Sequence, residues 1–232
     1  MERGRGRPMS ERLVGIILDS FWQILLPGLA VTIPLTAVSF FFAMIIAVII
    51  AIVQFARIPV LRHIARFYIW VARGTPLLVQ LFVVFYGLPD LGIILEPIPA
   101  AIIVFSLNEG AYCAETVRAS LEAVPVGQME AGRCVGMSYL QVMRRIVLPQ
   151  AMRIAFPSLS NSLIAMVKDT SLASNITVTE MFMETQRIAS RYAEFLPLYI
   201  EVGLIYLLFC TVLTKVQHVV EKRLSTYGGK GG

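Results

Sequence analysis

Apolar runs long enough to cross a bilayer, parted by short charged islands, set the pattern of this chain. Between Ser20 and Ala56 no Asp, Glu, Lys or Arg occurs, a stretch of roughly 37 residues where about 20 cross the hydrocarbon core. A first span is expected at about residues 28–55. Pro27 is read as the end of a preceding interfacial helix with Trp22 as its anchor, and Pro34 is tolerated early in the span. Arg57, Arg62, His63 and Arg66 then predict a short basic loop, followed by a second span at about residues 67–88. Gly74-Thr75-Pro76 interrupts that span, and because Pro76 removes a helical hydrogen bond a kink is expected there. Arg73 has two readings, snorkelling to the headgroups or contact with another polar segment.

The connection over residues 87–99 is rich in proline and carries only Asp90 and Glu96. A third span, about residues 100–121, holds Asn108, Glu109 and Glu115; carboxylates at membrane depth are costly and count as functional candidates by default. Glu115 and Arg118, three apart, predict an ion pair on one helix face. A fourth span, about residues 154–172, contains Ser158, Ser160, Asn161, Ser162, Lys168 and Asp169. It cannot face lipid all round, so it belongs in a bundle interior or beside a watery path. Residues 173–197 alternate apolar and polar groups, which predicts an external amphipathic helix. The last span, about residues 198–219, has Glu201 near its outer end, with Lys215, His218, Lys222 and Arg223 gathered at its inner end.

Between the third and fourth spans, residues 130–149 form a polar island with helical pattern. Two short helices are expected. Glu130 is placed in the first turn of one, after the break at Pro125 and Gly127, and Gly136 is its left-handed stop. Ser138 and Gln141 have capping-box spacing at the start of the other. Leu140, Met143 and Val147 are read as its apolar face, Arg144 and Arg145 point elsewhere, and Pro149 marks the next break.

Composition agrees with an all-α integral membrane protein of about five spans: 57% of the 232 residues are hydrophobic and 15% charged, against about 25% charged in soluble domains. Mean hydropathy is +0.74. The net charge of +5 comes from Lys and Arg between apolar runs and forms no basic stripe interleaved with aromatics, which argues for lipid headgroups and against nucleic acid. Cys113, Cys134 and Cys210 have no metal or redox spacing and are read as structural thiols. No metal site is expected. Residues 1–27 are divided into a basic arm and the interfacial helix, residues 28–221 form the transmembrane unit, and residues 222–232 form a flexible tail.

The island also carries a resemblance. Glu130-Ala131-Gly132, three residues, Gly136, nine residues, Ile146, one residue, Leu148-Pro149 resembles the coupling loop of bacterial ATP-binding-cassette (ABC) import permeases, whose pattern has Ala where Gly132 stands. That glycine lowers helix propensity by about 1 kcal/mol, so a less firmly held first helix is expected. ARGTPLLVQLF from Ala72, LNEGAYCAETVRASLEAVPVGQMEAGR from Leu107 and VKDTSL from Val167 look like the polar amino-acid subfamily, of histidine, arginine and glutamine type. The resemblance implies a type I permease that pairs with a second, identical or homologous permease, two cytoplasmic ATPase subunits and an external amino-acid-binding protein. It also implies coupling through Glu130, Ala131, Gly132, Gly136, Ile146 and Pro149, with ATP and Mg held by the partner ATPase and no cofactor in this chain.

No Gly-rich phosphate loop occurs, so active transport needs an energy-supplying partner. Two competing classes are weaker. An intramembrane enzyme lacks a catalytic pair or metal cluster, and a self-sufficient channel or a permease for another small polar solute, such as an opine, predicts other partners or cargo. Substrate-path candidates are Gln80, Asn108, Glu109, Lys168, Asp169, Thr170, Ser171 and Glu201. For Glu109 the alternative is an ion pair with Lys168 or Arg73 that only holds the bundle. Basic residues place the first connection, the island and the C-terminus in the cytoplasm, and the resemblance implies a bacterial inner-membrane protein with the same orientation. Five spans then put the N-terminus outside, against the sign of Arg3, Arg5, Arg7 and Arg12.

Overall fold

The computed structural model describes residues 9–55 and 59–226, and their regular structure is helical. Arg57, the basic arm before Met9 and the last six residues lie outside the described residues. Among the described residues ten α-helices follow in order: α1 (Met9–Pro27), α2 (Ile33–Phe55), α3 (Pro59–Gly74), α4 (Leu77–Phe82), α5 (Pro97–Glu122), α6 (Val126–Cys134), α7 (Tyr139–Val142), α8 (Leu148–Asp169), α9 (Met181–Tyr192) and α10 (Phe195–Thr226).

Pro27 does not end a helix as expected. A π-turn over Gly28–Thr32 joins α1 to α2 without a break, giving a 45-residue apolar helix over Glu11–Phe55. The wide turn re-registers the backbone after a proline that lacks an N–H. Packing fixes the place. A Cβ on Gly28 would lie 2.9 Å from the Phe209 ring and 3.1 Å from Met181 Sδ, so only glycine lets this junction sit against α9 and α10.

The second span is broken far more sharply than a kink. α3 and the helical run Leu77–Leu91 meet at 104° across Thr75 and Pro76. Arg62, His63 and Arg66, expected in a loop, are helical within α3, because Pro59 starts a helix immediately. α1–α2 and α10 are long and apolar enough to cross a membrane, with the bent pair as a third. α5 and α8 have comparable length; α5 buries Ser106, Asn108 and Ser120, whereas the buried residues of α8 are apolar and its Ser158, Asn161 and Lys168 are exposed.

α2 and α5 pack along much of their length through small side chains. Ser39, Ala43, Ala47 and Ala51, four apart, are all buried on α2, facing Ser106, Gly110 and Ala114 of α5. Ser106 Oγ donates to the Ser39 carbonyl at 3.1 Å, and a Cβ on Gly110 would meet Ile46 at 2.9 Å. Between apolar helices in lipid, such close backbone approach supplies the dispersion contact that holds the pair. A second apolar cluster seats α1 and α10 on α9, the expected amphipathic helix. The Glu180 side chain caps it, accepting from Met183 N at 2.7 Å and Phe182 N at 2.9 Å.

Candidate coupling hairpin and substrate path

α6 and α7 form the expected hairpin. Gly136 has φ +78°, and the bonds from Gly136 N to the Arg133 carbonyl (2.9 Å) and from Met137 N to the Gly132 carbonyl (3.1 Å) close a Schellman stop. Ser138 Oγ accepts from Gln141 N at 3.4 Å while Gln141 Oε1 accepts from Ser138 N at 2.8 Å, the reciprocal capping box read from the sequence. Three expectations fail. Glu130 lies beyond the first turn, because α6 already starts at Val126. Pro149 ends nothing, since a π-turn over Met143–Val147 carries α7 into α8 without a break and the widened turn accommodates the N–H that Pro149 lacks. Leu140 is 75% exposed, and Val142 takes its place inside with Met143 and Val147.

Gly132 packs against the segment that follows. It is buried, and a Cβ there would stand 2.8 Å from Val142 Cγ2 and 3.0 Å from Ile146 Cδ1. The missing methyl lets α6 close onto the following segment. Glu130, Ala131 and Gly136 stay exposed, beside two apolar side chains at the hairpin's end, Val135 (77% exposed) and Leu140. Sequence reasoning missed both as surface features.

Within the bundle, the candidate polar residues divide into separate groups. Pro76 cannot donate to the carbonyl of Ala72, four residues back. Two side-chain amides supply that bond: Gln80 Nε2 donates to Ala72 O at 2.8 Å and Asn108 Nδ2 donates to it at 3.0 Å. Gln80 also donates to Thr75 Oγ1 at 2.8 Å and accepts from Asn108 at 3.2 Å. Their first task is therefore to satisfy the broken span.

Glu109 is half-buried between α5 and α8, where Cys113 Sγ donates to it at 3.4 Å and Ser162 and Asp169 are neighbours. Among the described residues no ion pair joins it to Lys168 or Arg73: Lys168 is exposed, and the Arg73 guanidinium lies 5.0 Å from the centre of the Tyr112 ring. The expected pair is instead Arg118–Glu115 at 3.1 Å, extended by Glu122 at 2.8 Å.

α8 ends at Asp169 in a 3-10 turn, Thr170–Ile176. Thr170 Oγ1 donates to the Val167 carbonyl at 2.6 Å and Ser171 Oγ to that of Lys168 at 2.7 Å. Both lie near Tyr206, whose hydroxyl donates to Glu180 at 3.2 Å. Burial pushes the Glu180 carboxyl above the usual carboxylate range although its two backbone donors and Tyr206 pull the other way. Glu201 lies apart from all of these, 7% exposed between α10 and α1, accepting from Ser20 Oγ at 2.6 Å.

Long apolar helices, a broken second span and an exposed two-helix hairpin define a polytopic helical membrane protein. Comparison with known proteins agrees. Residues 43–226 match the family described as binding-protein-dependent transport system inner membrane component, and the chain belongs to that family of ABC importer permeases. It is 47% identical to the L-cystine transport system permease protein TcyB of Bacillus subtilis (93% of this chain, 92% of that one). It is 33% identical to the nopaline transport system permease protein NocM of Agrobacterium fabrum, over 90% of each chain. Among solved structures, an amino acid ABC transporter crystallised with histidines superposes with a TM-score of 0.82 at 30% identity, covering 89% of this chain and 96% of that one. The MetNI methionine ABC transporter, at 17% identity and a TM-score of 0.72, shares the fold.

Proposed function

We propose that this chain is the permease subunit of an ATP-driven importer for polar amino acids, paired with a second permease, two ATPase subunits and an external binding protein. The observation that carries this reading is the α6–α7 hairpin. Buried Gly132 and the Gly136 stop hold it compact, and its exposed Glu130, Ala131, Val135 and Leu140 offer a small mixed surface for an ATPase groove. ATP and Mg belong to that ATPase, and residues 28–221 are the transmembrane domain it drives. Closing of the ATPases would move the hairpins as rigid bodies and rock the spans between inward- and outward-facing states. The hairpin and the C-terminus lie in the cytoplasm and the N-terminus outside.

The amino-acid class is supported by the names of the similar proteins and by the chemistry between α5 and α8. Glu109 and Asp169 offer negative charge to an ammonium group, while exposed Lys168 offers a counter-charge to a carboxylate. Thr170 and Ser171 have their hydroxyls bonded to the backbone and act by shaping the end of α8. The nopaline-system relative keeps an opine as the second reading.

Glu109→Gln tests the lining role. Uptake by the reconstituted complex should shift in affinity or preference across cationic, acidic and amide amino acids and cystine, while assembly and basal ATP hydrolysis persist. A complex that fails to assemble at all would reduce Glu109 to a packing residue.

A further inference from the structure

α3 carries two unlike surfaces on either side of its buried Ala65, Ile69 and Ala72. Val60, Ile64, Phe67 and Trp70 form an exposed apolar stripe. Arg62 and Arg66, one helical turn apart, line a polar cleft of about 700 Å³. The opposite wall comes from the end of α2 and from α5, and its charges are already matched: Arg118 pairs with Glu115 and Glu122, and Gln54 donates to Glu115 at 3.2 Å. Met129 of α6 and Tyr139 of α7 complete the lining. Among the described residues no carboxylate lies at ion-pair distance from Arg62 or Arg66, and Arg62 Nε is enclosed without a hydrogen-bond partner. With no carboxylate paired to either guanidinium among those residues, the cleft has cationic capacity to spare.

We propose that this cleft binds a phosphoryl group, presented by an anionic phospholipid, and that the bound headgroup ties the coupling hairpin to the bilayer. Guanidinium forks match phosphate oxygens, and two of them a turn apart can share one phosphodiester. Trp70 belongs both to the cleft wall and to the apolar stripe. An acyl chain running along Ile64, Phe67 and Trp70 would thus deliver its headgroup between the arginines, whereas free phosphate would leave the stripe unused. Because the hairpin contributes Met129 and Tyr139, occupancy restrains α6 and α7 against α3. The inference adds a lipid site to the transporter and does not depend on which solute is carried.

The test uses the assembled transporter, with phosphatidylglycerol retention read by native mass spectrometry against phosphatidylcholine. Replacing both arginines (Arg62→Gln with Arg66→Gln) should lower phosphatidylglycerol retention by about tenfold or more, since each basic side chain near an anionic membrane surface contributes about fivefold. Arg153→Gln, an exposed arginine of α8 outside the cleft, should leave it unchanged. Inorganic phosphate should not displace the lipid. Unchanged retention in the double variant, or an equal loss in the Arg153 control, overturns the site. Displacement by inorganic phosphate overturns the lipid as the source. Loss of the ATPase in phosphatidylcholine alone, with phosphatidylglycerol retention intact, assigns the arginines to the ATPase and also ends the proposal.

Discussion

At Ala72 one absent proton donor organises its surroundings. Pro76 leaves the Ala72 carbonyl without its helical partner, and Gln80 and Asn108 each donate to it from a different element, tying α4 and α5 to the break. Either amide alone leaves the carbonyl satisfied. Gln80→Leu or Asn108→Leu should therefore cost about 1 kcal/mol, while the double replacement should cost more than the sum, because a buried carbonyl is then orphaned for a further 1–3 kcal/mol or so. Thermal unfolding of the purified complex reads the three variants; strict additivity would show that the amides act independently. The break itself was legible in Gly74-Thr75-Pro76. What answered it was not, since the sequence shows which carbonyl loses its donor but not which amides the fold swings toward it. Gln80 and Asn108 consequently read as substrate contacts before they read as repairs. Glu109 was legible as a carboxylate within an apolar segment, and its neighbours Cys113 and Ser162 depended on how α5 and α8 meet.

The helices themselves owe their divisions to turns that local pattern reads poorly. Proline predicts a break, yet after Pro27 and before Pro149 the chain inserts a π-turn and continues as helix. The same widening moves apolar positions. The widened turn shifts the apolar register: Val142 is buried with Met143 and Val147, and Leu140 is outside, where a 3.6-residue period had placed it inside. By contrast, the Gly136 stop and the Ser138 capping box were fully readable, because each depends only on neighbours in sequence. Gly136→Leu sets a bulky residue at φ +78°, a strain of about 1 kcal/mol or more at the joint of the hairpin. The spans should insert at normal abundance while substrate-stimulated ATP hydrolysis is lost; stimulation at the parental level would detach the hairpin from coupling. The orientation of the elements is tested by labelling. Cys134 is exposed on the hairpin and Ile94 is 82% exposed on the acidic connection. With Cys113 and Cys210 replaced, an impermeant thiol reagent added outside should reach a cysteine at position 94 and miss Cys134, and the reverse pattern would invert the topology.

For the whole molecule, the sequence and the fold point the same way at different resolution. Length, apolarity and the family resemblance of residues 130–149 were enough to indicate a membrane permease of the importer family. The close seam between α2 and α5 was also written there, as small residues every four positions from Ser39 to Ala51, but it becomes a signal only once its partner stripe on α5 is known. The central claim is that this chain converts ATP hydrolysis by a bound partner into solute movement through its hairpin. The most direct measurement is ATP hydrolysis by the reconstituted complex, with and without amino-acid-loaded binding protein, for the parent chain and for Ala131→Arg, which places a large charged side chain on the exposed face of α6. The parent should be stimulated by the loaded binding protein, and the variant should insert at equal abundance, keep its fold and show no stimulation. Equal stimulation in the variant, or solute flux through the parent chain with no ATPase present, would contradict the account.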